Sequence, residues 1–212
     1  VLVIDGKSGF KVGTELVWDY AEGMNRCFFV NKTDDENAHF DKVLEDLRAQ
    51  FGSSVCPVFV PCEGSGRATK FCNLITDEVF EFDAKGNAKK VDFDVSALAD
   101  YKAALTEVLA ETDDALMEKF FEEEPLTKEE MLAALHTGLT AGSVAPVFAG
   151  AASTFAGVSC FLDIIAQSFM SASEKKQDGA IPLSPSGDTA LLCFKSVADT
   201  FVKKSLFRVM NG

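Results

Sequence analysis

The chain has 212 residues, of which 47% are apolar, so it can bury a core and hold one large or two small domains. Its formal net charge of -13 argues against a protein that binds DNA by releasing counterions from phosphates. The sequence has no signal peptide and no apolar run long enough to span a membrane, so neither DNA nor a membrane is a predicted partner.

The negative charge is unevenly distributed along the chain. Residues 77–130 hold 17 Asp and Glu against six Lys. Such a segment is either a surface for a basic partner or a solvated face that binds nothing, and the residues alone leave both interpretations open.

The six cysteines show no C-x-x-C spacing and lie mostly among apolar neighbours: Cys27, Cys56, Cys62, Cys72, Cys160 and Cys193. This pattern predicts reduced core thiols in a cytosolic protein. Three of them could form a loose metal-binding set with His39, but the spacings match no zinc module, so no metal site is predicted.

The first part of the chain alternates strands and helices. Residues 1–4 are typical of a strand, and the helix predicted around residues 11–23 has four apolar residues on one face: Val12, Leu16, Val17 and Tyr20. A second strand at 27–30 precedes an amphipathic helix at 40–51, which a glycine ends, and 55–60 is a third strand. Strands joined by helices predict a parallel sheet.

The periodicity changes after residue 62. Residues 78–82 and 91–95 alternate apolar and polar side chains around a turn at 83–87. This pattern predicts an antiparallel hairpin with one buried face: Phe80, Phe82, Val91, Phe93 and Val95.

Capping residues mark three helices after this hairpin. Ser96 is expected to cap a helix that runs to Ala110, and Thr112 to cap a second. Thr127 and Glu130 have the spacing of a capping box before the third helix.

The α/β pattern then resumes. Residues 144–149 predict a strand, and five apolar residues predict a helix behind it: Val158, Phe161, Leu162, Ile165 and Phe169. We therefore assign residues 1–62 and 143–173 to one α/β domain, and residues 63–142 to an α+β subdomain inserted into it.

The last part of the chain predicts a second domain. Residues 174–188 are rich in Ser, Lys, Pro and Gly and are interpreted as a linker. Residues 189–212 contain two predicted strands, at 189–195 and 203–210, which would begin a β-domain. Because Val1 already stands in a strand, we expect the chain to be part of a longer protein.

The second strand is followed at once by four polar residues: Asn31, Lys32, Thr33 and Asp34. Ligands of parallel sheets bind at the carboxyl ends of the strands. The Asp34 carboxylate can accept two parallel hydrogen bonds from the ring N–H and the exocyclic amine of guanine. Adenine has an acceptor in place of that ring N–H, so a carboxylate facing it would cost on the order of 2–4 kcal/mol.

The neighbours of Asp34 suit the same interpretation. Lys32 can lay its methylene stem over a flat base and keep its ammonium in water. Asn31 can tie neighbouring loops through its amide. These residues predict a guanine-binding corner. The alternative is a charged turn before a helix that starts at Asp35 or Asn37.

Several segments resemble elongation factor G, the translational GTPase that drives translocation: residues 28–34, 40–47, 113–120, 126–130, 145–152 and 157–158. Residues 194–201 and 206–212 resemble the opening of the second domain of that family, a β-barrel. The resemblance covers nearly the whole chain. It implies an α/β fold: a partial P-loop-GTPase parallel sheet, an inserted α+β subdomain and the first strands of the β-barrel.

The resemblance also implies function. It implies GTP or GDP with Mg²⁺ as cofactors of the full-length protein, the ribosome as its partner in translocation or ribosome recycling, and the cytoplasm as its location. It further implies that the acidic insert contacts a ribosomal stalk protein.

A second base-contacting motif of this family, usually Ser-Ala, falls on Ala151 and Ala152. A backbone N–H there can still contact the guanine carbonyl oxygen, but the hydroxyl is missing. Together with Thr33 inside the first motif, this departure indicates a divergent, elongation factor G-like member.

A phosphate-cradling loop is not found in the sequence. Gly6, Lys7 and Ser8 imitate the end of such a loop, but the pattern requires a glycine where Val1 stands. No catalytic residue is therefore predicted, and we expect this chain alone to be inactive and to bind no nucleotide tightly. Two alternatives are a ribosomal-protection GTPase that dislodges a drug and a non-enzymatic module that binds the stalk protein.

Overall fold

A seven-stranded sheet organises residues 1–169 of this computed structural model, which describes residues 1–83, 85–171, 174, 186–200 and 202–211. The strands are β1 (Leu2–Asp5), β2 (Phe28–Asn31), β3 (Val55–Pro61), β4 (Lys70–Asn73), β5 (Glu78–Phe82), β6 (Ala88–Val91) and β7 (Ala145–Ala149). Their order across the sheet is β1-β2-β7-β3-β4-β5-β6. The first four strands in this order pair in parallel, and the other three pair antiparallel.

The helices of the described residues are α1 (Val12–Tyr20), α2 (Phe40–Phe51), α3 (Ala99–Ala110), α4 (Asp114–Phe121), α5 (Lys128–Ala141) and α6 (Val158–Ser168). Helices α1 and α2 are the crossovers that parallel strands require, and α2 and α3 pack against β3. The predicted α/β fold class is confirmed: the described residues form a seven-stranded sheet with a parallel part, six helices and a separate two-stranded sheet.

The central strands are buried along their whole length. Every residue of β3 and of β7 is buried, as the continuous apolar runs of a parallel sheet predict. The rings of Phe28, Phe59 and Phe148 are fully buried, and each contributes about 2–3 kcal/mol of hydrophobic stabilisation. This packing fixes the positions at which the central strands end.

The proposed insert continues the same sheet. Strand β4 pairs antiparallel with β3, with Pro61 opposite Phe71. The predicted hairpin is present but shifted, because β6 ends at Val91, opposite Val79. The prediction that Phe93 and Val95 belong to the second strand is wrong, since residues 92–94 leave the sheet and Val95–Leu98 form a 3-10 turn.

Two of the three predicted helix caps are wrong. Asp94 caps the 3-10 turn Val95–Leu98, and α3 begins at Ala99 without a side-chain cap, whereas Asp113 rather than Thr112 caps α4. Asp, Ser and Thr cap almost equally well, so adjacent candidates cannot be ranked from the sequence. The capping box that begins at Thr127 is confirmed, with both of its reciprocal hydrogen bonds present.

The apolar face expected on α1 is exposed, by between 49% and 80%, at all four residues: Val12, Leu16, Val17 and Tyr20. The contact with the core comes instead from Trp18, whose ring stacks on that of Phe28 with 5.2 Å between centroids. In α6 the buried residues include Phe161 and Ile164, whereas Leu162 is exposed.

All six cysteines are free thiols. Four are buried and Cys62 is half-buried, but Cys193 is exposed, so the core-thiol prediction is wrong for Cys193. Burial raises the pKa of the Cys56 thiol to about 12, so this thiol stays protonated at neutral pH. No cluster of three or more His, Cys, Asp or Glu suited to a metal ion occurs within the described part of the chain, and the loose set with His39 is not supported.

Residues 170–212 form a unit of their own. Their described part holds two antiparallel strands, β8 (Ala190–Ala198) and β9 (Lys203–Asn211). Most of the predicted linker at 174–188 lies outside the described residues. No helix in the described ranges of either unit is long and apolar enough to cross a membrane.

Gly86, in the turn between β5 and β6, packs against the loop after β7. Its φ is +77°, and a Cβ there would lie 2.5 Å from the Cβ of Phe155 and 2.8 Å from the carbonyl oxygen of Thr154. We expect Gly86→Ala to lower the free energy of unfolding by about 1–3 kcal/mol, measured by urea denaturation.

The matched control for this variant is Gly13→Ala in helix α1. No atom lies within 4 Å of a Cβ built at Gly13, so this substitution should leave stability unchanged or raise it by about 0.5–1 kcal/mol. Equal stabilities for the two variants would contradict the packing of Gly86.

Candidate functional site

The carboxyl ends of β2 and β7 are tied together by the backbone of Gly150. Its N–H donates to the carbonyl oxygen of Val30 at 3.0 Å, and its own carbonyl accepts from the N–H of Thr33 at 3.3 Å. A Cβ on Gly150 would lie 2.6 Å from the ring of Phe29 and from the carbonyl oxygen of Ala156. Only glycine allows this close approach of the two loops.

A cavity of about 540 Å³ opens at this edge of the sheet. Three of the five predicted site residues line it: Asn31, Lys32 and Asp34. Five residues not predicted for the site line it as well: Asp35, Glu36, Asn37, Arg67 and Ser153. The volume is within the range of small-molecule sites, about 300–1,000 Å³.

The side chain of Asn31 joins the two loops. Its Oδ1 accepts a hydrogen bond from the backbone N–H of Ala152 at 2.9 Å. The N–H of Ala151 donates to the carbonyl oxygen of Ala156 at 2.9 Å, and Ala151 is fully buried. Both N–H groups that the sequence offered to a guanine carbonyl therefore have protein partners. Only that of Ala152, whose partner is a side chain, can be freed by a rotation.

Asp34 is held by two other loops. The hydroxyl of Ser153 donates to Asp34 Oδ2 at 3.2 Å, and Nε of Arg67 donates to the Asp34 carbonyl oxygen at 3.0 Å. Asp34 is a half-buried residue and lines the cavity wall. Ser153 and Arg67 are 119 and 33 residues from Asp34 in the chain, so no local spacing could have indicated them.

Lys32 has the left-handed φ of +62°, which residues other than glycine rarely adopt. Strained backbone of this kind clusters at functional sites. The Lys32 ammonium was expected to be solvated, but it pairs with Asp5 Oδ2 at 2.6 Å, while 59% of the side chain remains exposed. The methylene stem therefore crosses the sheet edge between β2 and β1.

This ion pair lowers the pKa of Asp5. The hydrogen bond from Lys32, helped by the backbone N–H of Ser8, lowers the pKa of Asp5 from its ordinary value of 3.8 to about 2. A lowered pKa stabilises the folded chain above pH 3.8, and that contribution is lost as the pH falls through about 2.

The turn at Gly6 is already filled by a carboxylate. The backbone N–H groups of Lys7 and Ser8 both donate to Asp5 Oδ1 at 3.0 Å. Because these donors hold an anion of the chain itself, the turn does not fit phosphate. It does not fit Mg²⁺ either, because both oxygens of Asp5 are engaged, Oδ1 by the two N–H groups and Oδ2 by Lys32. The cavity at this edge is instead lined by carboxylate and amide side chains, which can accept hydrogen bonds from a ligand.

A parallel sheet with a polar cavity at its carboxyl edge is typical of the α/β domains that bind small ligands such as nucleotides. The chain belongs to the elongation factor Tu GTP binding domain family, whose model matches residues 1–171. Its recognition from sequence as an elongation factor G-like translational GTPase is confirmed at the level of this family.

The fold is also similar to a solved structure. A protein of Thermus thermophilus, known from its crystal structure, matches with a TM-score of 0.79 and 24% sequence identity. The match covers 99% of this chain and 31% of that one, so the chain spans about a third of the length of the Thermus protein. At this identity the similarity establishes the fold.

Thr33, between Lys32 and Asp34, carries a buried hydroxyl with no hydrogen-bond partner among the described residues. An unpaired buried hydroxyl is destabilising, and valine has the same shape without it. We expect Thr33→Val to raise the free energy of unfolding by about 1–2 kcal/mol in urea denaturation.

Thr112→Val is the matched control, because the Thr112 hydroxyl donates to the carbonyl oxygen of Leu109 at 2.7 Å. Its loss should lower the free energy of unfolding by about 1 kcal/mol. If both variants were destabilised equally, the Thr33 hydroxyl would have a partner after all.

Proposed function

We propose that this chain is the guanine-recognising part of an elongation factor G-like translational GTPase. The observation that carries the proposal is the position of Asp34, a half-buried residue on the wall of the cavity, three residues after the parallel strand β2 ends. Membership of the GTP binding domain family supports guanine nucleotide as the ligand.

The proposed recognition uses the two oxygens of Asp34. One accepts from the guanine ring N–H and the other from the exocyclic amine, and the low dielectric of a half-buried site strengthens both bonds. Lys32 covers one face of the base with its stem, and Asn31 keeps the Ala152 loop beside it. Adenine offers an acceptor to the same carboxylate and is rejected.

The rest of the reaction is proposed to belong to the full-length protein. Mg²⁺ there would neutralise the negative charge of the phosphates during GTP hydrolysis, and no described residue of this chain is assigned to it. We propose that the full-length protein acts in the cytoplasm on the ribosome, in translocation or ribosome recycling. This chain alone is proposed to bind nucleotide weakly and to be inactive.

The role of Asp34 is tested in the full-length protein by calorimetry. We expect GDP to bind at least about 100-fold more tightly than ADP, because ADP leaves the carboxylate facing an acceptor. Asp34→Asn should shift the preference to xanthosine diphosphate, in which a carbonyl replaces the exocyclic amine.

Asp35→Asn is the control for this shift. The Asp35 carboxylate already accepts two hydrogen bonds from Asn37, so its replacement should leave the base preference unchanged. Equal affinity of the unaltered protein for GDP and ADP would refute the role given to Asp34.

The acidic insert is proposed to contact a ribosomal stalk protein. Phe121 at the end of α4 is 76% exposed and is followed by three exposed acidic residues, Glu122, Glu123 and Glu124. An exposed aromatic ring beside negative charge suits a basic partner with an apolar contact.

Pull-down of purified stalk protein by this chain tests the contact. Neutralising the three acidic residues should reduce binding about tenfold at low salt: Glu122→Gln, Glu123→Gln and Glu124→Gln. The control neutralises three charges on and beside α1: Glu15→Gln, Asp19→Asn and Glu22→Gln. Equal loss in both variants would show that only net charge matters and would contradict a stalk-binding surface on the insert.

A further inference from the structure

Ser153 is the one hydroxyl that contacts the base-reading carboxylate within the described residues. Its Oγ lies 3.2 Å from Asp34 Oδ2, and both side chains line the same cavity. The side chain of Ser153 is exposed, so water could satisfy its hydroxyl without this contact. The conformation of the loop, rather than a need to satisfy a buried hydroxyl, therefore places Ser153 Oγ next to Asp34.

The loop that carries Ser153 is closed on itself. The N–H of Ala151 bonds to the carbonyl oxygen of Ala156, and the N–H of Thr154 bonds to the carbonyl oxygen of Ala151 at 3.3 Å. Phe155 adopts a left-handed φ of +59° to complete the turn. Ser153 lies at the tip of this short loop, beside the Ala152 N–H that Asn31 holds. Its position is set before any ligand arrives.

A carboxylate that reads two donors must keep its plane aligned with the base. The terminal torsion of Asp is broad, so a free carboxylate rotates away from the alignment that two simultaneous hydrogen bonds need. A hydroxyl donating to one oxygen restricts that rotation. Because each carboxylate oxygen has two lone pairs, Oδ2 can accept from Ser153 and from a base together.

We propose that Ser153 is a positioning residue for base specificity. Its hydroxyl holds the Asp34 carboxylate in place and so compensates for the hydroxyl that is missing at Ala151. The assignment rests on the proposed function and adds a residue to it. Ser153 acts on the pair of hydrogen bonds that guanine makes, because two donors in fixed positions need both carboxylate oxygens aligned at once, whereas a single donor can follow one oxygen as the carboxylate turns. It gives little to a base that offers the ring N–H alone.

Inosine diphosphate separates this role from a general effect on the loop, since its base has the ring N–H but no exocyclic amine. Calorimetry on the full-length protein should show that Ser153→Ala weakens GDP binding about fivefold and changes inosine diphosphate binding less than about twofold. The ratio of the two affinities therefore falls. A mere loosening of the loop would weaken both nucleotides equally, and that result would overturn the assignment.

Two variants complete the test. Ser153→Thr keeps a hydroxyl, so its ratio of GDP affinity to inosine diphosphate affinity should equal that of the unaltered protein. Thr154→Ala removes the next hydroxyl of the same loop, which donates to Ala151 rather than to Asp34, and should leave the ratio unchanged. Circular dichroism melting of each variant establishes that it folds.

The outcomes distinguish this assignment from the function on which it rests. If GDP were preferred over ADP and Asp34→Asn switched the preference, but Ser153→Ala kept the ratio, the role of Ser153 alone would fail. If GDP and ADP bound equally to the unaltered protein, the guanine site itself would fail, and the assignment with it.

Discussion

The two backbone hydrogen bonds of Gly150 are the constraint on which the site depends. They join the end of β2 to the end of β7, and they hold the turn that carries Lys32 and Asp34 against the loop that carries Ser153. The parallel pairing of the two strands fixes this junction, and buried aromatic rings fix the strands. The proposed base-binding corner therefore needs no ligand to assemble it, because the core already sets its geometry.

The carboxylates of Asp5 and Asp34 differ in how many of their hydrogen-bonding positions the chain itself fills. Asp5 holds the ammonium of Lys32 with one oxygen and the donors of its own turn with the other, so the negative charge beside β1 is satisfied within the chain. Asp34 accepts one hydroxyl and keeps acceptor capacity toward the cavity. Of these two carboxylates, Asp34 is therefore better placed than Asp5 for a ligand that donates hydrogen bonds.

The sequence indicated those features that local pattern controls. The central strands β2, β3 and β7 are uninterrupted apolar runs, and their bounds were predicted to within one residue. Strand β4 was missed because it has only four residues, with polar residues at both ends. The start of β6 was misjudged because its two lysines, exposed on the strand, break the alternation.

The same distinction applies to the site. Asn31, Lys32 and Asp34 lie at and after the end of one strand and could be grouped by position alone. Ser153 and Arg67 reach the corner from separate loops, and Asp5 from the end of β1. Which loops meet is decided by strand order, and spacing along one chain does not encode it. The partners of the Ala151 and Ala152 N–H groups were unforeseeable for the same reason.

The direct pairing of β4 with β3 has a consequence for the solubility of the domain. Strand β3 is entirely apolar, and without β4 it would become an edge strand whose unpaired N–H and C=O groups invite other chains. The actual edge on that side is β6, which is four residues long and carries Lys89 and Lys90, features that discourage edge-to-edge aggregation. A chimera in which helices α3 to α5 are exchanged should therefore retain residues 70–91, because these strands cover the edge of β3.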